Sequence, residues 1–177
     1  LRLAERIGTL AGLEQVKTAR LEAPLVQAGK ATAVILHPDS VAGAQAAARI
    51  AAAIRAKAGV APACRPGTRA DLQPTENAIL LGTVDTNPAL LLLYARRLTP
   101  ADSVCPGAGG ALVQTVVDPF GKGVNAVVAA AADDAGLAKA ADLLVQTVSA
   151  APAGAELALP RVFERAYGPD FLNACPW

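Results

Sequence analysis

Ala78-Ile79-Leu80-Leu81-Gly82, followed by Thr86-Asn87-Pro88 and later by Asp133-Asp134-Ala135-Gly136-Leu137, decides how this chain folds. The first run is apolar without alternation, as in a strand covered on both faces. Gly82 lets the chain turn. Asn87 supplies a side-chain cap, and Pro88 takes the first helical position, where its missing amide hydrogen is not needed. The helix this starts, Ala89 to Arg97, ends on two arginines that suit the negative end of its dipole. Upstream of Asp133, Leu112 to Val117 and Val124 to Ala130 flank Asp118-Pro119-Phe120-Gly121-Lys122-Gly123. Two glycines and a proline in six residues predict a turn, so these two segments form an antiparallel hairpin. The helix opening near Asp133 has Leu137, Ala140, Ala141, Leu144 and Val148 as its buried stripe.

Working outward, Ala31 to His37 is a strand that Pro38 ends. Ser40 caps a helix over Val41 to Lys57, with Ala44, Ala47, Ala51, Ile54 and Ala58 on its core face and Gln45 and Arg49 opposite. Gly59 stops that helix, Val60 to Cys64 reads as a short strand, and Arg65 to Asn77 as a surface loop. Strand, helix, strand, strand, helix, strand, strand, helix is the predicted order. Helices alternate with strands but one hairpin interrupts them, so the fold class is α/β (α+β) with a mixed sheet and helices packed on it. Three parts are predicted. Residues 1–29 form a partly helical arm, with Leu3, Ile7, Leu10 and Leu13 at helical spacing before Pro24 and Gly29 mark a loop. Residues 30–150 form the domain. Residues 151–177 form an irregular C-terminal linker or arm.

Composition narrows the function classes. Of 177 residues, 53% are hydrophobic and 18% charged, which excludes a disordered segment. Aromatic residues are 3% and the net charge is +1, so neither stacking rings nor excess cations favour nucleic acid as a partner. No apolar run approaches the roughly 20 residues of a membrane-spanning helix, so no membrane partner is expected. With no methionine and no signal region at its start, the chain reads as a fragment of a longer or processed protein. Cys64, Cys105 and Cys175 lack metal-ligand spacing and only one histidine is present, so neither a metal site nor a cofactor is expected. The three cysteines read as buried or free thiols, with any single pair among them as the alternative.

The candidate reactive residues each have a structural explanation. His37-Pro38-Asp39 leaves a strand and opens a helix, and no second histidine supports a hydrolytic triad. Pro106-Gly107-Ala108-Gly109-Gly110 leads into a strand, whereas phosphate loops lead into a helix; it and Gly121-Lys122-Gly123 read as turns. Asp118, Asp133 and Asp134 are the most promising carboxylates, yet turn initiation and helix capping account for them. Asp85 and Asn87 behave alike, with capping explaining Asn87 in full. No catalytic, cofactor-binding or metal residue is therefore assigned.

With these elements in place, the chain resembles the non-catalytic domain that precedes the barrel in beta-N-acetylhexosaminidases, with relatives in alpha-glucuronidases and hyaluronidase-like enzymes. Ala46 to Pro62 is similar to that domain's first helix. Ile79-Leu80-Leu81-Gly82-Thr83 through Asn87-Pro88 is similar to its central strand and next helix. Gly110 to Val117 resembles the following strand, and Ala126 to Val145, with Asp134-Ala135-Gly136, the final strand and helix. The resemblance spans about residues 30 to 150. It implies a zincin-like sandwich without zinc that supports a catalytic domain of the same polypeptide, in a secreted or periplasmic glycoside hydrolase or polysaccharide lyase. The Asp118-to-Gly123 connection is bulkier than that family's minimal hairpin, and the family's Asp-Glu catalytic pair has no counterpart here, so no catalytic role is carried over. On this reading Phe163, Tyr167, Phe171 and Trp177 lie on the connecting arm and contact the next domain. The alternatives are a carbohydrate-binding module using Tyr94, Tyr167 and Trp177 with polysaccharide as partner, or a small doubly wound ligand-binding domain.

Overall fold

The computed structural model describes residues 20–171; Leu3, Ile7, Leu10 and Leu13 at one end and Cys175 and Trp177 at the other lie outside them. Nine strands and three α-helices are present among the described residues: β1 (Ala23–Gln27), β2 (Lys30–Ala31), β3 (Ala33–His37), α1 (Val41–Ala58), β4 (Ala63–Pro66), β5 (Asn77–Gly82), α2 (Pro88–Ala95), β6 (Ala111–Val116), β7 (Ala126–Ala131), α3 (Asp134–Ala150), β8 (Leu157–Leu159) and β9 (Phe163–Ala166). Six strands make the main sheet in the order β4-β3-β5-β7-β6-β9. β4, β3, β5 and β7 pair in parallel, while β6 runs antiparallel to both β7 and β9. The sheet is therefore mixed, as the hairpin predicts, and the protein is α/β in class. Val116 faces Ala126 at the closed end of that hairpin.

Side chains alternate between two cores because both sheet faces are covered. Ile35, Ile79, Leu81, Val113, Val127 and Ala129 point to the face that carries α1 and α3. Val34, Leu36, Leu80, Leu112 and Val128 point to the face that carries α2. The three-stranded sheet β2-β1-β8 closes the first face, burying Leu25, Leu157 and Leu159 completely or nearly so. The α3 stripe is as the spacing predicts: Leu137, Ala140, Ala141, Leu144 and Val148 are buried.

Four expectations are corrected. The core face of α1 is Gly43, Ala46, Ala47, Ile50 and Ile54, with Ala51 and Ala58 packed at its margin; of the predicted stripe only Ala44 lies outside it, exposed. A helix of alanines has little amphipathic contrast, and the few larger residues set its rotation. Next, Pro24 and Gly29 do not mark a loop but belong to a hairpin of β1 and β2, with Ala28 (φ 48°) and Gly29 (φ 70°) as its two turn residues. Finally, the tail after 151 is not irregular: β8 pairs with β1 and β9 with β6. The short strand expected over Val60 to Cys64 lies slightly later, as the exposed edge β4.

Candidate functional site

The carboxyl ends of the parallel strands are where an α/β sheet offers a crevice. β3 leads into α1 on one sheet face and β5 into α2 on the other, so the chain diverges between these strands. A cavity of about 290 Å³ lies there, lined by Pro38, Asp39, Ser40, Thr83, Thr86 and Asp134 among others. A crevice in this place is what the doubly wound alternative requires, although the β6–β7 hairpin departs from it.

Its inner end is already filled by protein. Gly82 holds φ +123°, and a methyl group on it would lie 2.7 Å from Pro38 Cγ and 2.8 Å from Thr86 Oγ1. A methyl group on Gly43, in the first turn of α1, would lie 2.5 Å from the Pro38 carbonyl. The two glycines thus admit the proline where a dinucleotide-binding turn admits a phosphate. Asp39 and Asp134 on the rim add negative charge, which disfavours an anionic ligand. The Ser40 hydroxyl is engaged, accepting from Gly43 N at 3.0 Å.

The other predicted residues are occupied in the same manner. His37 is buried, and its Nδ1–H donates to the Pro38 carbonyl at 2.8 Å. Asn87 does more than cap. Its Oδ1 accepts from Ala89 N, and its Nδ2 donates to Leu36 O at 3.2 Å and Leu81 O at 2.9 Å, joining β3, β5 and α2 at one buried point. That is a correction to the capping-only expectation. Asp118 accepts from Gly123 N across the hairpin turn and holds φ 41°. Asn125, which the residue pattern did not single out, donates through Nδ2 to Arg20 O and Glu22 O and accepts from Asp118 N. It fixes the start of the described chain to the sheet.

Asp133 caps α3 and also reaches the glycine-rich segment. Its Oδ1 accepts from Gly136 N at 2.7 Å and its Oδ2 from Gly109 N at 2.8 Å. These amide bonds, Gly136 first, hold its carboxyl below the ordinary value of 3.8. Residues 106–110 are therefore a packed joint as well as a turn: the Gly110 carbonyl lies against Gly136, the Ala108 carbonyl against Gly168, and Gly168 N donates to Pro106 O. A native carboxyl with a lowered pKa contributes stability above about 3.8 that is lost as pH falls through its native value. Asp133→Ala is expected to cost about 1 kcal/mol at pH 7. It should also flatten the acid-side fall in stability, measured by urea melts from neutral to acid pH; an unchanged slope would show that Asp133 is not a source of acid sensitivity.

The remaining aromatic candidates gather elsewhere. Phe163 lies on β9, paired with Gln114 of β6, and Arg165 is paired with Leu112. The Arg165 guanidinium sits 4.9 Å from the Phe163 ring centre and 5.5 Å from that of Tyr167, and Tyr167 stacks on Phe171 at 4.2 Å. Tyr94, at the end of α2, donates its hydroxyl to Asp102 Oδ2 at 2.9 Å, which raises the phenol's pKa. No group of three or more His, Cys, Asp and Glu side chains placed to hold a metal ion occurs among the described residues. Nor is any described helix long and apolar enough to cross a membrane. No protein-family model matches the chain, and no curated protein is significantly similar to it.

Proposed function

We propose that this chain is a non-catalytic accessory domain of a larger secreted or periplasmic carbohydrate-active protein, a glycoside hydrolase or polysaccharide lyase. Its role is to pack against a catalytic domain outside this chain, and its finer fold is the zincin-like sandwich without zinc. The observation that carries the reading is how the candidate reactive groups are used: His37, Asn87, Asp118 and Asp133 each form a hydrogen bond with a backbone group of this chain. Such a set builds a scaffold and leaves no acid–base pair poised for a substrate. The order of strands and helices, with the resemblance in residues 30–150, supplies the family context. Reading the gene past the Trp177 codon tests it. A continuing frame that encodes a barrel or toroid domain is the expected result, and a stop codon there ends the proposal. Glycoside hydrolysis by the chain itself, abolished by a substitution in it, would end it too.

A second reading, the doubly wound ligand-binding domain, is favoured by the crevice at the ends of β3 and β5. The Pro38 ring within that crevice weighs against it.

A further inference from the structure

We infer that the hollow between the end of α2 and strand β6 is a binding site for a small hydroxylated carboxylic acid, a hydroxy acid or sugar acid. The inference goes beyond the accessory-domain reading and does not rest on it. The hollow has a volume of about 650 Å³ and is lined by Tyr94, Arg97, Leu98, Pro100, Asp102 and Gln114 among others. Three features define the ligand.

The first is an acceptor in need of a donor. Gln114 Nε2 donates to Leu98 O at 3.0 Å, while its Oε1 is buried with no hydrogen-bond partner among the described residues. Buried polar atoms are normally paired, and because Gln114 lines the hollow, a small turn of its side chain would offer Oε1 to a donor brought by a ligand, such as a hydroxyl.

The second is unbalanced positive charge. Arg97 is exposed and forms no ion pair with any described carboxylate. Asp102, the carboxylate of the lining, is committed: Oδ1 accepts from the amides of Val104 and Cys105, and Oδ2 from the Tyr94 hydroxyl. On the adjoining strand, Arg165 is paired with Leu112 and so shares the α2 face of the sheet. Its guanidinium is held against two rings. Arg97, the one arginine in the lining, has a forked donor and no acid of its own, which matches a carboxylate.

The third is an apolar wall where exposure is costly. Tyr94, the aromatic residue of the lining, remains 40% exposed. With Leu98 and Pro100, the Tyr94 ring provides a surface for the carbon skeleton of a ligand whose polar groups reach Arg97 and Gln114.

The test is an NMR titration of the 177-residue chain with gluconate, galacturonate and, as the neutral control, glucose. One or both acids are expected to shift the Tyr94, Arg97 and Gln114 resonances saturably, with glucose causing no shift. An open-chain hydroxy acid is identified if gluconate alone binds, and a ring sugar acid if galacturonate alone binds. Arg97→Gln should weaken binding by about tenfold or more, and Gln114→Leu should weaken it while the chain retains its folded spectrum. The inference is overturned if neither acid shifts these resonances, if glucose does so equally, or if Arg97→Gln binds as the parent does. A protein partner that covers this face without competition from either acid would also overturn it.

Discussion

Gly136→Ala is expected to destabilise the protein by about 3 kcal/mol or more, the upper range for forcing a methyl group into a filled space. The added carbon would press on the Gly110 carbonyl oxygen and meet Ala131 Cβ at 3.0 Å. Neither neighbour is a flexible side-chain end. Gly110 is tied by its amide to Gly107 O and lies against Gly168, so relief at one contact tightens another. Gly168→Ala should behave similarly because its new methyl would meet the Ala108 carbonyl. Gly154→Ala is the control: its nearest neighbour would be the Glu156 amide at 4.0 Å, with no left-handed backbone to maintain. A gain of about 0.4 to 1 kcal/mol is expected there from the stiffer unfolded chain. Urea midpoints decide the matter. If Gly136→Ala unfolds within error of the parent, the joint between residues 106–110 and α3 does not exist as described.

Asn87→Ala has a comparably large expected effect, a loss of about 3 to 7 kcal/mol. It removes a helix cap, which is worth about 1 kcal/mol. It also strips the donor from two buried carbonyls, Leu36 O and Leu81 O, each of which then carries a desolvation cost of about 1 to 3 kcal/mol. Asn87→Asp separates these contributions. It retains the cap oxygen but directs a carboxylate at two carbonyls, so the protonated acid is the form the folded site prefers. Its folded pKa rises above the unfolded value, so the variant is most stable in acid and loses stability as pH rises through the raised value. The parent has no such loss at this position. A variant whose urea midpoint follows the parent at every pH would show that the Nδ2 bonds contribute nothing.

Asn87 also shows how far the amino-acid pattern could be read. Its place before Pro88 announces a helix start, and that much is local. Its bonds to β3 and β5 join residues 36, 81 and 87, and no spacing rule encodes them. The buried runs, the hairpin about Asp118 to Gly123 and the α3 stripe were legible because leucine, valine and isoleucine give a strong periodic signal. The α1 face was legible only in part: Ala47 and Ile54 are buried as expected, but Ala44 is exposed and Ala46 and Ile50 take its place, because alanine gives almost no periodic signal. β1, β8 and β9 were missed for a different reason. They are three to five residues long, with Pro24 inside one and Pro160 between the others; β8 and β9 become strands only through partners far away in the chain, and β1 joins one such partner, β8, besides its neighbour β2. Of the candidate residues, the pattern located the polar ones and their turns correctly. The placing of Phe163 opposite Gln114 depends on the β6–β9 register and was invisible before it.

The pairing of β1 with β8 gives synthesis a direction. The Ala28 amide waits for Glu156, 128 residues later, and the outer edge of β6 waits for β9. A nascent chain that has emerged only as far as α3 holds its helices and central strands yet presents two unmated edges, the kind of surface on which neighbouring chains pair. β8 and β9, synthesised after α3, are the strands that cover those two edges.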